Sequence, residues 1–147
     1  MSDLEIAQLQ RRYTDLRILD PARVSRLAAS LAEEGQRSPV LVVGDVLIDG
    51  YHRVAALEQL GRDLVSAVAV DLDEAEALVL AWRFETGRRK TAIEEAWLLS
   101  ELLEAHGRTQ ASLAKELRRS RSWVSERLAL VRVLPESVQL AVRGGRI

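Results

Sequence analysis

Asp49, Gly50, Tyr51, His52 and Arg53 follow one another in the run IDGYHRVAAL, Ile48 to Leu57. A carboxylate, an imidazole and a guanidinium set this close admit three kinds of chemistry. Asp49 and His52 are the types used for general acid and base work. Glycine ahead of a helix that opens Tyr51-His52-Arg53 suits an anion instead, because the N–H groups of a first helical turn and the positive helix end gather phosphate oxygens while Arg53 supplies counter-charge. The third reading is structural, with Asp49 capping the helix and His52 capping it or lying in a polar niche. The strand-glycine-helix layout favours the phosphate-holding turn, with Asp49, Gly50, His52 and Arg53 as candidates. Which phosphate stays open at this point.

A second constellation lies at the other end, in TQASLAKELRRSRSWVSERLAL, Thr109 to Leu130. Thr109 is the type that caps a helix, whose Leu113, Ala114 and Leu117 then face inward. A break at Arg118-Arg119-Ser120 precedes a second helix presenting Val124, Leu128 and Val131 to the same core. With Gln110 as the first motif position, Ala114 is fifth and Val124 fifteenth. Those are the places where two steeply crossing helices need a small contact and a branched filler, and the pattern is that of a helix-turn-helix. The outward face of the second helix carries Ser120, Arg121, Ser122, Ser125, Glu126 and Ala129. Arginine can fork onto guanine and serine can bind phosphate or a base edge in the major groove. Lys115, Arg118 and Arg119 suit the DNA backbone, and Thr109 and Gln110 at the start of the motif are further DNA-binding candidates. Arg118 stands where such turns use a left-handed glycine, at a cost of about 1 kcal/mol, which predicts a remodelled turn.

The elements that position these groups read as follows. Asp20 and Pro21 open a helix that runs to about Glu34, with Val24, Leu27, Ala28 and Leu31 at helical spacing and Gly35 as its stop. Val40 to Val43 and Val46 to Ile48 are strands around Gly44-Asp45, a hairpin signal. A helix from about His52 to Leu60 stops at Gly61; a strand, Val65 to Val70, precedes an acid-rich helix near Asp73. From there the pattern is helical, broken at Thr86 to Lys90, at His106-Gly107, near Arg118 to Ser120 and at Leu134-Pro135. The reading is α+β: a small mixed α/β domain over residues 1–88, then an all-α helix-turn-helix domain over 89–147. Trp82 and Trp97 are read as core residues, and Trp123 as a packing residue rather than a DNA wedge.

Composition bounds the function. With no cysteine, disulfides, thiolate nucleophiles and Cys-based metal sites are excluded. No apolar run approaches a membrane span and the start is not signal-like, so a soluble, cytoplasmic protein without a membrane partner is expected. The net charge of −1 hides an asymmetry: residues 106–147 hold nine Lys/Arg against three acids, a charge of +6, and residues 1–105 carry −7. A basic end on a near-neutral chain points to a polyanionic partner for that end.

The segments LDPARVSRLAASLAEEGQRSPVLVV, LIDGYHRVAALEQLGRDLVSAVAV, IEEAWLLSELLEAHGRTQASLAKELRRSRSWVSERLALV and LPESVQLAVRGG, taken in this order, resemble the ParB family of plasmid and chromosome partition proteins, over about residues 14 to 147. The resemblance implies a CTP-binding N-terminal domain and a domain that binds a centromere-like site on double-stranded DNA. It also implies a homodimer, a partition ATPase as partner, and an association with nucleoid or plasmid. Gly35, Gln36 and Pro39 match the family's first nucleotide motif. Gly50 and Arg53 match the first glycine and second arginine of its GERR motif, with Tyr51 and His52 between them. Glu85 looks like the glutamate opening the ENxxR segment, and Arg88 or Arg89 its arginine.

Thr86 departs from the asparagine of that segment. The resemblance therefore implies CTP as cofactor, while Mg2+ and a catalytic Glu85 enter only if CTP is hydrolysed, so at most a weak CTPase is expected. The family's C-terminal dimerisation domain has no counterpart before Ile147, and the chain is expected to be a truncated form or a short relative. Sulfiredoxins and ParB-like serine kinases share the N-terminal fold. Tyr51 stands where sulfiredoxin has its reactive cysteine, and without the thiolate that chemistry cannot run. A small-molecule kinase with Asp49 or Glu85 as base is the alternative function, but it leaves the helix-turn-helix unexplained. No set of metal-ligating residues is assigned.

Overall fold

Asp20 accepts a hydrogen bond from the Arg23 amide at 3.3 Å, Pro21 fills the first helical position, and helix α1 runs Pro21–Glu34 as its caps dictate. Gly35 ends it at φ 72, with its amide on the Leu31 carbonyl. The structure, a computed structural model, describes residues 1–84 and 89–146. Strands β2 (Val40–Val43) and β3 (Val46–Asp49) form the expected hairpin, antiparallel around a left-handed Gly44. Helix α2 (Tyr51–Gln59) follows, starting one residue before the expected His52. Strand β4 (Leu64–Ala69) then lies parallel to β2, one residue earlier than the spacing predicts; the Val70 amide still donates to the Val42 carbonyl at 3.0 Å.

Strand β1 (Ser2–Glu5) is a finding rather than an expectation. It pairs antiparallel with β4, from Ser2 opposite Ala67 to Glu5 opposite Leu64, and completes a mixed sheet in the order β1-β4-β2-β3. Nothing in Ser-Asp-Leu-Glu alternates like a strand; the edge of β4 supplies the partner that makes it one. Val40, Val42, Leu47, Ile48, Val54, Leu57, Val65 and Ala67 form the core between sheet and helices.

Helices α3 (Glu74–Arg83), α4 (Ala92–Glu104), α5 (Gln110–Leu117), α6 (Arg121–Val133) and α7 (Glu136–Arg143) make up the rest. The chain divides into two compact units, Met1–Thr14 with Leu19–Ala77, and Asp15–Ile18 with the chain from Leu78 onward. In the second, Glu94 is 1% exposed and fully engaged: it accepts from the Thr91 amide and hydroxyl and from the Ile18 amide. Trp97 is buried as expected, and its indole N–H donates to Gln139 at 2.9 Å. Gln139 in turn donates to the carbonyls of Val131 and Leu134, closing the end of α6. Among the described residues no helix is long and apolar enough to cross a membrane.

Candidate functional site

The turn at Gly50 is built by packing. Gly50 is the N-cap of α2 in a left-handed conformation, φ 108 and ψ 22, and makes no side-chain cap bond. Asp49, one possible cap, is therefore the last residue of β3 and not the cap. A Cβ at Gly50 would lie 2.4 Å from Val40 Cγ1 and 2.8 Å from Val40 Cβ. The close approach that glycine permits is first of all one between α2 and β2.

Tyr51 and His52 turn inward. The Tyr51 hydroxyl accepts from the Tyr13 amide at 3.0 Å and donates to the Leu47 carbonyl at 2.8 Å. His52 is 9% exposed, and its Nε2 accepts from the Asp20 amide at 3.4 Å, which is the polar-niche role. Tyr13 continues the chain: its hydroxyl donates to Glu74 at 2.5 Å, and Arg12 pairs with the same carboxylate at 2.6 Å. Burial first, and the hydrogen bond to Glu74 second, push the Tyr13 phenol well above its ordinary range. Sequence reasoning missed this relay because its members are far apart in the chain and carry no local pattern.

Arg53 and Gln36, from separate motifs, do meet. Arg53 Nη1 donates to the carbonyls of Ser38 at 2.8 Å and Pro39 at 2.7 Å. The Gln36 amide donates to the same Ser38 carbonyl at 2.9 Å and clasps Ser66 in both directions, to its carbonyl and from its amide, at 2.8 Å each. The Gly35–Pro39 loop is thus fixed between the start of α2 and β4. A cleft of about 530 Å3 opens beside it, lined by Gly35, Gln36, Ser66, Leu57 and Gly61 among others, with Asp49, Gly50, His52 and Arg53 outside its lining. Glu85 and Arg88 lie outside the described residues. Among the described residues no group of three or more His, Asp or Glu side chains could hold a metal ion.

The helix-turn-helix is formed by α5 and α6. Leu113, Ala114, Leu117, Val124 and Leu128 are buried, while Val131 is only half-buried. Arg118 is left-handed at φ 55 and ψ 45, so the expected remodelling does not occur: the turn keeps its shape and the arginine bears the strain. Thr109 caps α5 by accepting from the Ser112 amide at 3.0 Å, and Ser120 caps α6 by accepting from the Trp123 amide at 3.0 Å. Lys115, Arg118, Arg119, Ser120, Arg121, Ser122, Ser125 and Glu126 are all exposed, Thr109 likewise, and Gln110 is half-buried.

Trp82 is not the core residue expected. Half-buried, it packs against Trp123 with the rings tilted at 60° and their centroids 6.1 Å apart, and the Arg119 guanidinium lies 5.4 Å from one ring and 5.2 Å from the other. Glu95 holds this group from below, accepting from Trp82 Nε1 at 2.9 Å and from Arg127 Nε at 3.4 Å. Trp123 is a packing residue as read, though an exposed arginine is part of what it packs against.

Comparison with known proteins adds the family. Residues 1–83 match the model of the ParB N-terminal domain and residues 89–147 that of the ParB HTH domain. A nucleoid occlusion protein of Oceanobacillus iheyensis is 35% identical over 138 residues, covering 89% of this chain and 48% of its own length; that of Bacillus mycoides is 33% identical over 137 residues, covering 89% and 47%. The chain thus spans about half the length of these relatives. Among solved structures, the C-terminally truncated chromosome-partitioning protein ParB from Caulobacter crescentus, complexed with CTP-gamma-S, is similar with a TM-score of 0.51 and 26% identity, covering 96% of this chain and 83% of that one. A Pnob8-like ParB-N domain gives a TM-score of 0.56 at 26% identity over 78% of this chain and 48% of its own. A mixed four-stranded unit followed by a helix-turn-helix, each matched by its own family model, makes this chain a member of the ParB family.

Proposed function

We propose that the chain binds a specific site on double-stranded DNA through α5 and α6, and CTP through its N-terminal unit, in plasmid or chromosome partition or a related regulatory process. The observation that carries the DNA reading is the two-sided character of α6. Val124 and Leu128 are buried on one side, while Arg121, Ser122, Ser125 and Glu126 stand exposed on the other. This is the presentation a recognition helix needs, with Arg121 in the first turn as the base-reading residue and Lys115 and Arg119 on the backbone. Thr109, Gln110 and Ser120 set the ends of the two helices against the phosphates.

For CTP the supporting feature is the Ser38 carbonyl, which accepts from both Gln36 and Arg53, one residue from each of the two matched motifs that also hold Gly35 and Gly50. A guanidinium carries five N–H donors, so Arg53 can hold the loop through Nη1 and a phosphate oxygen through the rest. Asp49, His52, Glu85 and Arg88 belong to the same proposed nucleotide-binding set. CTP supplies the phosphates, and Mg2+ would be held through them rather than by a cage of side chains. The division at residues 88 and 89, a homodimer, a partition ATPase partner and a cytoplasmic, nucleoid- or plasmid-associated location belong to the same reading. The CTP-gamma-S bound by the Caulobacter crescentus relative is consistent with the nucleotide part.

Calorimetry with CTP, ATP and ADP tests the nucleotide: CTP-selective binding that Arg53→Ala abolishes is expected. Adenine-nucleotide binding with phosphate transfer would replace the reading with the kinase. For DNA, Arg121→Ala should lose about 1 to 3 kcal/mol on a preferred site and little on random duplex. Equal loss on both would move Arg121 to the backbone.

A further inference from the structure

The second unit carries a basic cleft that the helix-turn-helix reading only half explains. About 540 Å3 in volume, it is lined by Arg118 and Arg119 from the turn and by Arg83 and Arg89 from outside it, with Trp82 and Phe84 as an aromatic wall. All four arginines are exposed, and among the described residues none pairs with a carboxylate. Glu95 is the one acid among the described lining residues, and its two oxygens already accept from Trp82 and Arg127. Among the described residues, then, four like charges share one open concavity without a counter-ion of their own, an arrangement that an anion relieves.

The geometry of Arg119 sharpens the ligand's chemistry. Its guanidinium lies 5.4 Å and 5.2 Å from the centroids of the two indole rings, cation–π contacts that hold it at the cleft while its N–H donors remain for a ligand. That suits the forked recognition of phosphate oxygens. Phe84, 71% exposed, adds an apolar surface beside the charges for a sugar to pack on. Because Arg118 and Arg119 lead directly into α6, phosphates bound in this cleft are continuous with whatever α6 reads.

We infer that Arg83 and Arg89 form, with the turn arginines, a second phosphate-contact site that extends the duplex-DNA footprint beyond the helix-turn-helix. This rests on the DNA-binding reading and is tested apart from it. Binding of the full chain to a mixed-sequence duplex is followed by fluorescence anisotropy across a salt series. Each phosphate contact contributes about −0.9 to the slope of log K against log salt. The Arg83→Ser/Arg89→Ser variant should flatten the slope by about 1.8, Arg83→Lys/Arg89→Lys should restore it, and Arg37→Ser, which removes an exposed arginine paired with Glu34, should leave it unchanged. Binding by the natural protein with the same slope in the serine variant overturns the inference and leaves the parent reading standing. No binding by the natural protein defeats the parent reading. A serine variant that keeps its DNA slope but loses CTP affinity in calorimetry would give the cleft to free nucleotide and also overturn the inference. If the serine pair fails to fold, the single variant Arg89→Glu against Arg89→Lys decides by the same slope.

Discussion

Replacing Gly50 with alanine separates two reasons for a glycine at this turn. At φ 108 an L-residue is strained by about 1–2 kcal/mol. The new methyl would also meet Val40 Cγ1 at 2.4 Å and Val40 Cβ at 2.8 Å, on a strand whose Val40 is 1% exposed and has no room to yield. Overpacking of this kind costs about 1–3 kcal/mol, so Gly50→Ala should lose about 2–5 kcal/mol in all. Urea unfolding followed by circular dichroism measures it, the midpoint falling while m is unchanged. Val40→Ala removes the nearer contact but keeps Val40 Cβ. In that background Gly50→Ala should cost less, though still more than the backbone strain alone. A Gly50→Ala change within about 0.5 kcal/mol of the natural protein, or an equal cost in both backgrounds, refutes the packing argument. Full stability with CTP affinity lost would make the glycine a ligand-contact residue first.

Three further outcomes are expected. Tyr51→Phe should cost about 1–3 kcal/mol in urea unfolding, because the Tyr13 amide loses its acceptor inside the core. Tyr13 resists ionisation in the fold, so its contribution is fully present below the ordinary phenol pKa of about 10 and is lost as pH rises beyond it, by at most about 1.4 kcal/mol per pH unit. Thermal unfolding from pH 9 upward (roughly one unit below that value) should show this slope, and Tyr13→Phe should flatten it. Arg118→Gly should relieve left-handed strain and raise stability by up to about 1 kcal/mol, whereas Arg118→Val should lower it; the order of the two melting temperatures checks the turn.

Where caps and local spacing decide the structure, the residues announce it: Asp20-Pro21 at α1, Gly44-Asp45 within the hairpin and Thr109 before α5 act as their types require, whereas Ser120, read on the outward face of the second helix, is its N-cap instead. Two kinds of feature stay hidden. Strand β1 depends on a pairing with β4 across the length of the unit, and the Tyr51–Tyr13–Glu74 relay on three distant segments. Trp82 is legible as an aromatic at helical spacing but not as the platform under Arg119, since a ring that packs a core and one that carries a cation have the same spacing. At the candidate site, glycine and arginine identify the turn, yet the inward direction of Tyr51 and His52 follows only from what α2 packs against.

Duplex-DNA recognition by α6 is tested most directly with a preferred site selected from random duplexes, then assayed with the natural protein and Arg121→Ala over a salt series. Salt-dependent binding is predicted, with the variant losing about 1 to 3 kcal/mol on the selected site alone. No binding at the lowest salt, or no site enriched above random sequence, would contradict it.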